Sequence, residues 1–194
     1  MRTTAIAAAS LAVLAAAATA AHADDFTVTP GKPNLVVFTS KAQVESFQGK
    51  TSKLSGHINV NPSNVGDSVS VELHVDLASL DTGIAKRNGH MRENHLETAK
   101  YPEAVFTGAT VLSPAHAALS GKPVAFDVTG TFALHGVTRR LTAHADVTRS
   151  GNKLAFTATF QVSLADYAIP RPQFLFLKLA DTQELKVTGV GYAK

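Results

Sequence analysis

The chain contains no cysteine, only two methionines, and a charged fraction of 17%. Without cysteine there is no disulfide framework and no thiol nucleophile, so stability has to come from a packed interior. The excess of basic over acidic residues is small, 18 Lys+Arg against 15 Asp+Glu. No basic stripe interleaved with aromatics occurs, and Arg139-Arg140 is only a dipeptide, so a nucleic-acid partner is not expected. No nucleophile elbow, phosphate-binding Gly-Lys loop or dinucleotide fingerprint is present. Gly189-Val190-Gly191 lacks a third glycine and a following helix. Serines and histidines are scattered without a recognisable catalytic arrangement, so catalytic residues and cofactors are not expected, and a binding protein is favoured over an enzyme. Past the first 23 residues no apolar run approaches the roughly 20 residues that a membrane-spanning helix needs.

What is present begins with an export signature. Arg2 supplies a positive start, Ala5 to Ala21 is apolar and alanine-rich, and Ala21-His22-Ala23 precedes Asp24-Asp25 as an A-x-A site. The competing reading is an N-terminal membrane anchor, but the run is short and ends in small residues, which favours cleavage. Residues 1–23 are therefore expected to be a cleaved signal peptide. The remainder, 24–194, forms one domain of ordinary size. Asn61-Pro62-Ser63 is excluded as a glycosylation acceptor by its proline.

Most of that domain alternates apolar and polar residues with period two, the mark of half-buried strands. Asp24–Lys32 reads as a polar lead, Leu35–Ser40 as a strand, and Val44–Lys53 as its continuation through a bend. Leu54, Gly56, Ile58 and Val60 share one face. So do Val69, Val71, Leu73, Val75 and Leu77, after turn residues at Asn61-Pro62-Ser63-Asn64 and Gly66-Asp67. Val105–Leu112 is a strand of undetermined facing, since Phe106 and the set Val105, Ala109, Val111 each suit an inner face. Val124–Leu134, Val137–Val147, Leu154–Leu164 and Leu185–Tyr192 complete the series, with tight turns at His135-Gly136 and Ser150-Gly151-Asn152. Seven or more such strands with almost no helical pattern indicate an all-β antiparallel sandwich or barrel. A barrel of about eight strands removes the open edges and leaves room for one small ligand. Pattern alone leaves the two architectures open.

The exception is Ser79–Phe106, too polar and interrupted for a strand. Asp81-Thr82-Gly83 and Asn88-Gly89 are turn signals. Met91 and His95 stand at helical spacing, and Tyr101-Pro102 ends the pattern. A structured insertion of this length between strands suits the cover of a site. Its residues Ser79-Leu80-Asp81-Thr82-Gly83, Arg87-Asn88-Gly89-His90-Met91-Arg92, Leu96, Tyr101-Pro102 and Phe106 resemble the signature of the YceI-like proteins. Val36-Val37-Phe38, Gly130 with Leu134-His135-Gly136-Val137-Thr138, and Tyr167-Ala168-Ile169 with Arg171-Pro172 agree with it. The resemblance implies a lipocalin-like antiparallel barrel with a short helical insertion at one mouth. It also implies a periplasmic location and a polyisoprenoid or similar amphiphilic lipid as the bound partner.

On this reading the cavity lining is expected from Phe38, Leu54, Ile58, Val71, Leu73, Val75, Phe126, Phe132, Leu141, Phe156 and Phe160, with Met91 and Leu96 facing the lumen from the insertion. Gly56, Gly130, Ala143 and Ala158 are expected to leave room for a chain-like ligand. Arg87, His90 and Arg92 are expected to ring the mouth, where a guanidinium can pair with a phosphate or phenolic headgroup. The competing role for the arginines is a structural bond to Glu93, Glu97 or the Asp81 turn. Glu72, His74 and Asp76 share a strand face and could hold a metal or do acid/base work, but the opposite face is filled by valine and leucine, so a solvated outer wall is expected. His90 and His95, five apart, lack the H-E-x-x-H pattern, and no metal site is expected. Transient contact with a membrane surface fits a lipid cargo, and a homodimer is left open. The alternative function is an exported structural or stress-related barrel with a filled interior and no physiological ligand.

Overall fold

The computed structural model describes residues 23–41, 46–174 and 177–194. Apart from Ala23, the expected signal peptide lies outside the described residues, as does Val44. The described strands are β1 (Asp24–Val28), β2 (Leu35–Lys41), β3 (Ser46–Thr51), β4 (Leu54–Val60), β5 (Val69–Asp76), β6 (Glu103–Ser113), β7 (Val124–Leu134), β8 (Val137–Ser150), β9 (Lys153–Ser163), the short β10 (Gln173–Phe174) and β11 (Leu177–Lys178), and β12 (Thr182–Ala193). One short helix, α1 (Ala85–His90), runs into a single π-helical turn, Met91–His95.

The strands close on themselves. The order β1-β4-β5-β6-β7-β8-β9-β12 returns to β1 through the pairing of Phe26 with Ala193 and Val28 with Gly191, every pairing being antiparallel. This is an eight-stranded barrel. The polar lead expected over Asp24–Lys32 is corrected here, because its first five residues are the closing strand. Two alternate apolar residues, Phe26 and Val28, are too short a pattern to announce a strand, yet both are buried between β4 and β12. β2 and β3 prolong β1 and β4 along the upper half of β12. The bend between β1 and β2 leaves Val190 of β12, paired with Ala155 of β9 on its other side, without a strand partner on this one. The buried side chain of Asn34 fills that gap, its Oδ1 accepting from the Val190 N–H (2.9 Å) while its Nδ2 donates to the Thr29 carbonyl (2.7 Å). A buried amide satisfied on both sides is stable there.

The undetermined facing of β6 has a physical resolution. Phe106 pairs with Phe132 and points inward, and Val111 does so too, although the two differ in parity. Between Thr107 and Thr110 the register slips by one residue, with Gly108 in the left-handed region at φ +64°. A bulge carries one extra residue, so the inner face changes from even to odd positions across it.

The barrel splays at its upper end. β8 and β9 pair only from His144 and Thr159 downward, and the turn Ala165–Tyr167 packs into the gap, the Arg139 Nε donating to the Asp166 carbonyl. On the other side, β3 is separated from β5 by the insertion, which is tied in by reciprocal bonds between Lys50 and Asp81, both 2.9 Å.

Candidate functional site

Inside the barrel lies a cavity of about 940 Å³. All thirteen residues that the alternation and the insertion placed toward the lumen line it, from Phe38 on β2 to Phe160 on β9, with Met91 and Leu96 above. The valine-rich inner face of β5 and the phenylalanines of β7 and β9 supply most of the wall. Two of the small residues expected to leave space do something else. A Cβ on Gly56 would fall 1.9 Å from the Glu72 carbonyl oxygen, so this glycine lets β4 and β5 approach rather than widening the lumen. The space beside Gly130 is taken by the Phe106 ring, 2.4 Å from where its Cβ would be. Ala143 and Ala158 do line the cavity.

The lower end is sealed by apolar loop residues. Val65 and Leu119 are buried, and their loops are sewn together by Val65 N–H to Ala117 O (2.9 Å) and Leu119 N–H to Pro62 O (2.8 Å). The upper end is covered by the insertion. Its helix begins at Ala85 and runs through Asn88-Gly89, so the turn expected there is absent. The Asn88 side chain is buried and used for tertiary bonding instead. Its Oδ1 accepts from the Thr82 N–H (2.8 Å) and hydroxyl (2.7 Å), and its Nδ2 donates to Asp81 Oδ1 (2.7 Å). The same Asp81 oxygen accepts from the Gly83 N–H at 2.8 Å. These bonds, with Gly83 first and Asn88 second, hold the Asp81 carboxyl below its ordinary value.

Arg87 and His90 stand on the cavity side of this lid. Arg87 is also anchored to the Asp81 turn, the structural role weighed against the headgroup role. Its Nε donates to Thr82 Oγ1 (2.9 Å) and its Nη2 to the Thr82 carbonyl (2.8 Å), and its guanidinium lies 4.1 Å over the Phe47 ring. Arg92 is a correction: it does not line the cavity, and its Nη1 donates to the Ala78 carbonyl at 3.2 Å. Met91 and His95, one turn apart, take the inward face, so the neighbour of Met91 is rotated about 100° from it.

The lid is joined to the segment after β9 through His135. Its Nδ1 donates to the Tyr167 carbonyl (3.1 Å), its Nε2 lies 3.5 Å from Glu97 Oε2, and its ring packs edge-on against Tyr101. His95 Nδ1 makes a similar link to the Pro170 carbonyl at 2.9 Å. Among the described residues, the non-glycine positions with positive φ, Glu97, His135 and Ala168, come from the three segments that meet here. Such backbone costs of order 1–3 kcal/mol each and persists only where the surroundings determine it. Burial pushes the Tyr167 phenol above its ordinary value, so it stays neutral beside Phe132.

The outer wall carries the remaining titratable cluster. His74 bonds Glu103 (2.9 Å) and Glu72 (3.0 Å), which raise its pKa. Asp76 instead caps the next turn through the Ala78 N–H (2.9 Å). His57 lies beside Asp25 (3.6 Å) and His144 beside Asp127 (3.0 Å), so these histidines sit in separate pairs. Among the described residues no group of three or more side chains is placed to hold a metal ion.

Several lining residues were not singled out from the sequence. Ser40 and Gln183 face inward from β2 and β12, in phase with Val36 and Phe38 and with Leu185 and Val187. Period two would have found both. Phe47 and Lys86 also reach the mouth, and no pattern marks either.

Comparison with known proteins agrees with this geometry. Residues 21–190 match the YceI-like domain family. A UPF0312 protein of Vibrio parahaemolyticus is 32% identical over 169 residues, covering 82% of this chain and 85% of that protein. The YceI protein of Escherichia coli O157:H7 is 32% identical over 106 residues, about half of each chain (51%). Among solved structures, a polyisoprenoid-binding domain from Saccharophagus degradans implicated in plant cell wall breakdown superimposes with a TM-score of 0.67 at 22% identity, over 89% of this chain and 100% of that one. BcnA of Burkholderia cenocepacia gives 0.68 at 19% identity, over 81% and 95%.

Proposed function

The chain belongs to the YceI-like family, and from that premise we propose that it is a binding protein for a polyisoprenoid or similar chain-like lipid, held tail-down in the barrel. The observation that carries this is the cavity: about 940 Å³, with only six polar side chains among the described residues that line it. That volume is at the upper end of the range for small-molecule sites. Each CH₂ buried in it contributes about 0.8 kcal/mol, so a prenyl tail binds without any polar contact. The polyisoprenoid-binding domain of Saccharophagus degradans, with its like fold, supports the same class of ligand. A filled interior without a ligand fits poorly with so large an opening.

The cellular role in this reading is that of an exported, periplasmic carrier or sequestering protein, which collects and releases its lipid in transient contact with a membrane surface. Export rests on the A-x-A site ending at Ala23. Intact-mass measurement on periplasmic protein is expected to give an N-terminus at Asp24, and retention of residues 1–23 in a membrane fraction would refute that part. The binding function is tested by organic extraction of the purified protein and mass spectrometry. A stoichiometric apolar lipid is the expected result. Protein that is repeatedly empty and takes up no prenyl lipid would overturn the reading.

A further inference from the structure

The polar side chains of the cavity are all at one end. Lys86, Arg87, His90 and His95 come from the lid, and Ser40 and Gln183 from the wall just beneath it. Ser40 is 1% exposed, and its Oγ has no hydrogen-bond partner among the described residues. A buried hydroxyl left in that state is costly unless something else meets it. Gln183 is its neighbour across the sheet. Glu184 pairs with Thr39, so Gln183 and Ser40 form the next step of the ladder, and the Gln183 amide is fixed by donating to the Ala180 carbonyl at 2.7 Å.

Among the described residues, the charged side chains that line the cavity have one sign, and no aspartate or glutamate lines it. Two of the lid's carboxylates are turned elsewhere, Asp81 into its turn and Glu97 toward His135, and Glu93 does not line the cavity. Arg87 is held in place by Thr82, so its guanidinium is positioned before any ligand arrives. Preorganised donors of this kind favour oxyanions over neutral oxygens.

Resting on the lipid-binding reading above, we propose that Ser40 and Gln183, with Lys86, Arg87, His90 and His95, form a headgroup subsite selective for an anionic amphiphile, a lipid phosphate or carboxylate, whose oxygens take the unpartnered Ser40 hydroxyl. The apolar tail runs from there to the sealed lower end.

The experiment uses delipidated protein and four probes with the same farnesyl chain, ending in diphosphate, monophosphate, carboxylate or alcohol, with affinities from isothermal titration calorimetry. The anionic probes are expected to bind about tenfold tighter than the alcohol, and the phosphate and carboxylate arms tell which oxyanion is preferred. Ser40→Ala and Lys86→Ala are each expected to reduce that preference severalfold, the affinity for the anionic probes falling more than that for the alcohol. Equal affinity for all four probes overturns the headgroup inference and leaves the carrier reading standing. So does a preference untouched by both substitutions. Failure of every probe, the alcohol included, overturns both readings.

Discussion

The lower end of the barrel is closed by short loops carrying apolar side chains, the upper end by a long insertion laid across the mouth. Below, the strands stay paired to their tips, and Val65, Leu119 and Phe26 fill what remains with apolar volume. Above, the wall opens between β3 and β5 and between β8 and β9, and separate segments are laid across and pinned by polar bonds. The lower end is held chiefly by burial, which does not discriminate among states that keep the same area. The upper end has a buried apolar cluster of its own, including Leu77, Leu80, Tyr167 and Ile169, and adds to it directional bonds among residues with strained backbone. Under the proposed function, that difference makes the lid at the upper end the route by which a lipid would exchange, and the lower end the fixed floor.

That assignment is broken most directly from below. Phe26 is 0% exposed, packed between β4 and β12, and does not line the cavity. Phe26→Ala is expected to cost about 3–5 kcal/mol of stability, the usual range for emptying such a site, as read from urea unfolding. A loss below about 1 kcal/mol would mean that the lower end is not where the fold is secured. Met91→Asp is the counterpart above. It sets a charge against the tail site from a half-buried lid position. Lipid occupancy is expected to fall about tenfold or more, with stability changed by less than about 1 kcal/mol. Equal occupancy in folded Met91→Asp protein, measured by native mass spectrometry, would take the lid out of the binding site.

The two ends also differed in how far they could be read from residues alone. The lumen was legible because period two is unambiguous when five or more apolar residues alternate, as on β5 and β7. It was illegible where alternation is short or shifted. β1 has only Phe26 and Val28 to show, and the bulge at Gly108 gives β6 two inner faces of opposite parity. Glycines misled in a consistent way. Gly56 and Gly130 sit on inner-facing strands, but both serve a close backbone approach, to Glu72 O and Gly108 O, and Gly130 also makes way for the Phe106 ring, so absence of a side chain does not mean free volume. At the lid, Asn88-Gly89 has turn chemistry, yet tertiary bonding to Asp81 and Thr82 recruits Asn88 from inside a helix. The local preference loses to the network because the buried amide is satisfied on both its oxygen and its nitrogen. Ser40 and Gln183 lie in phase with the apolar sets of β2 and β12, Gln183 two residues before the strand expected over Leu185–Tyr192, and with the lid's basic side chains they place the polar lining at one end.

The smallest expected effect sharpens the comparison through pH. The lid turn depends on the ionised Asp81, whose carboxyl is held below its ordinary value chiefly by the Gly83 N–H and then by Asn88. A depressed carboxylate contributes stability above its unfolded pKa and loses it as pH falls through the folded value. Acid therefore loosens the lid anchor. The His74 cluster on the outer wall has the opposite sign: its raised pKa gives a contribution present below the ordinary histidine value and lost as pH rises through the folded one. The Asp81 window lies at and below the ordinary carboxylate value and the His74 window at and above the ordinary histidine value, so they do not overlap. Lipid release from wild-type protein is expected to quicken modestly as pH drops below the carboxylate range. Asp81→Asn should flatten that rise, because both donors reach the same oxygen, Oδ1, which the amide keeps, while the titration is gone. Release measured by transfer to acceptor vesicles, with Tm followed in parallel, separates lid opening from general unfolding. An acid-quickened release that persists unchanged in Asp81→Asn would place the pH-sensitive closure somewhere other than this turn.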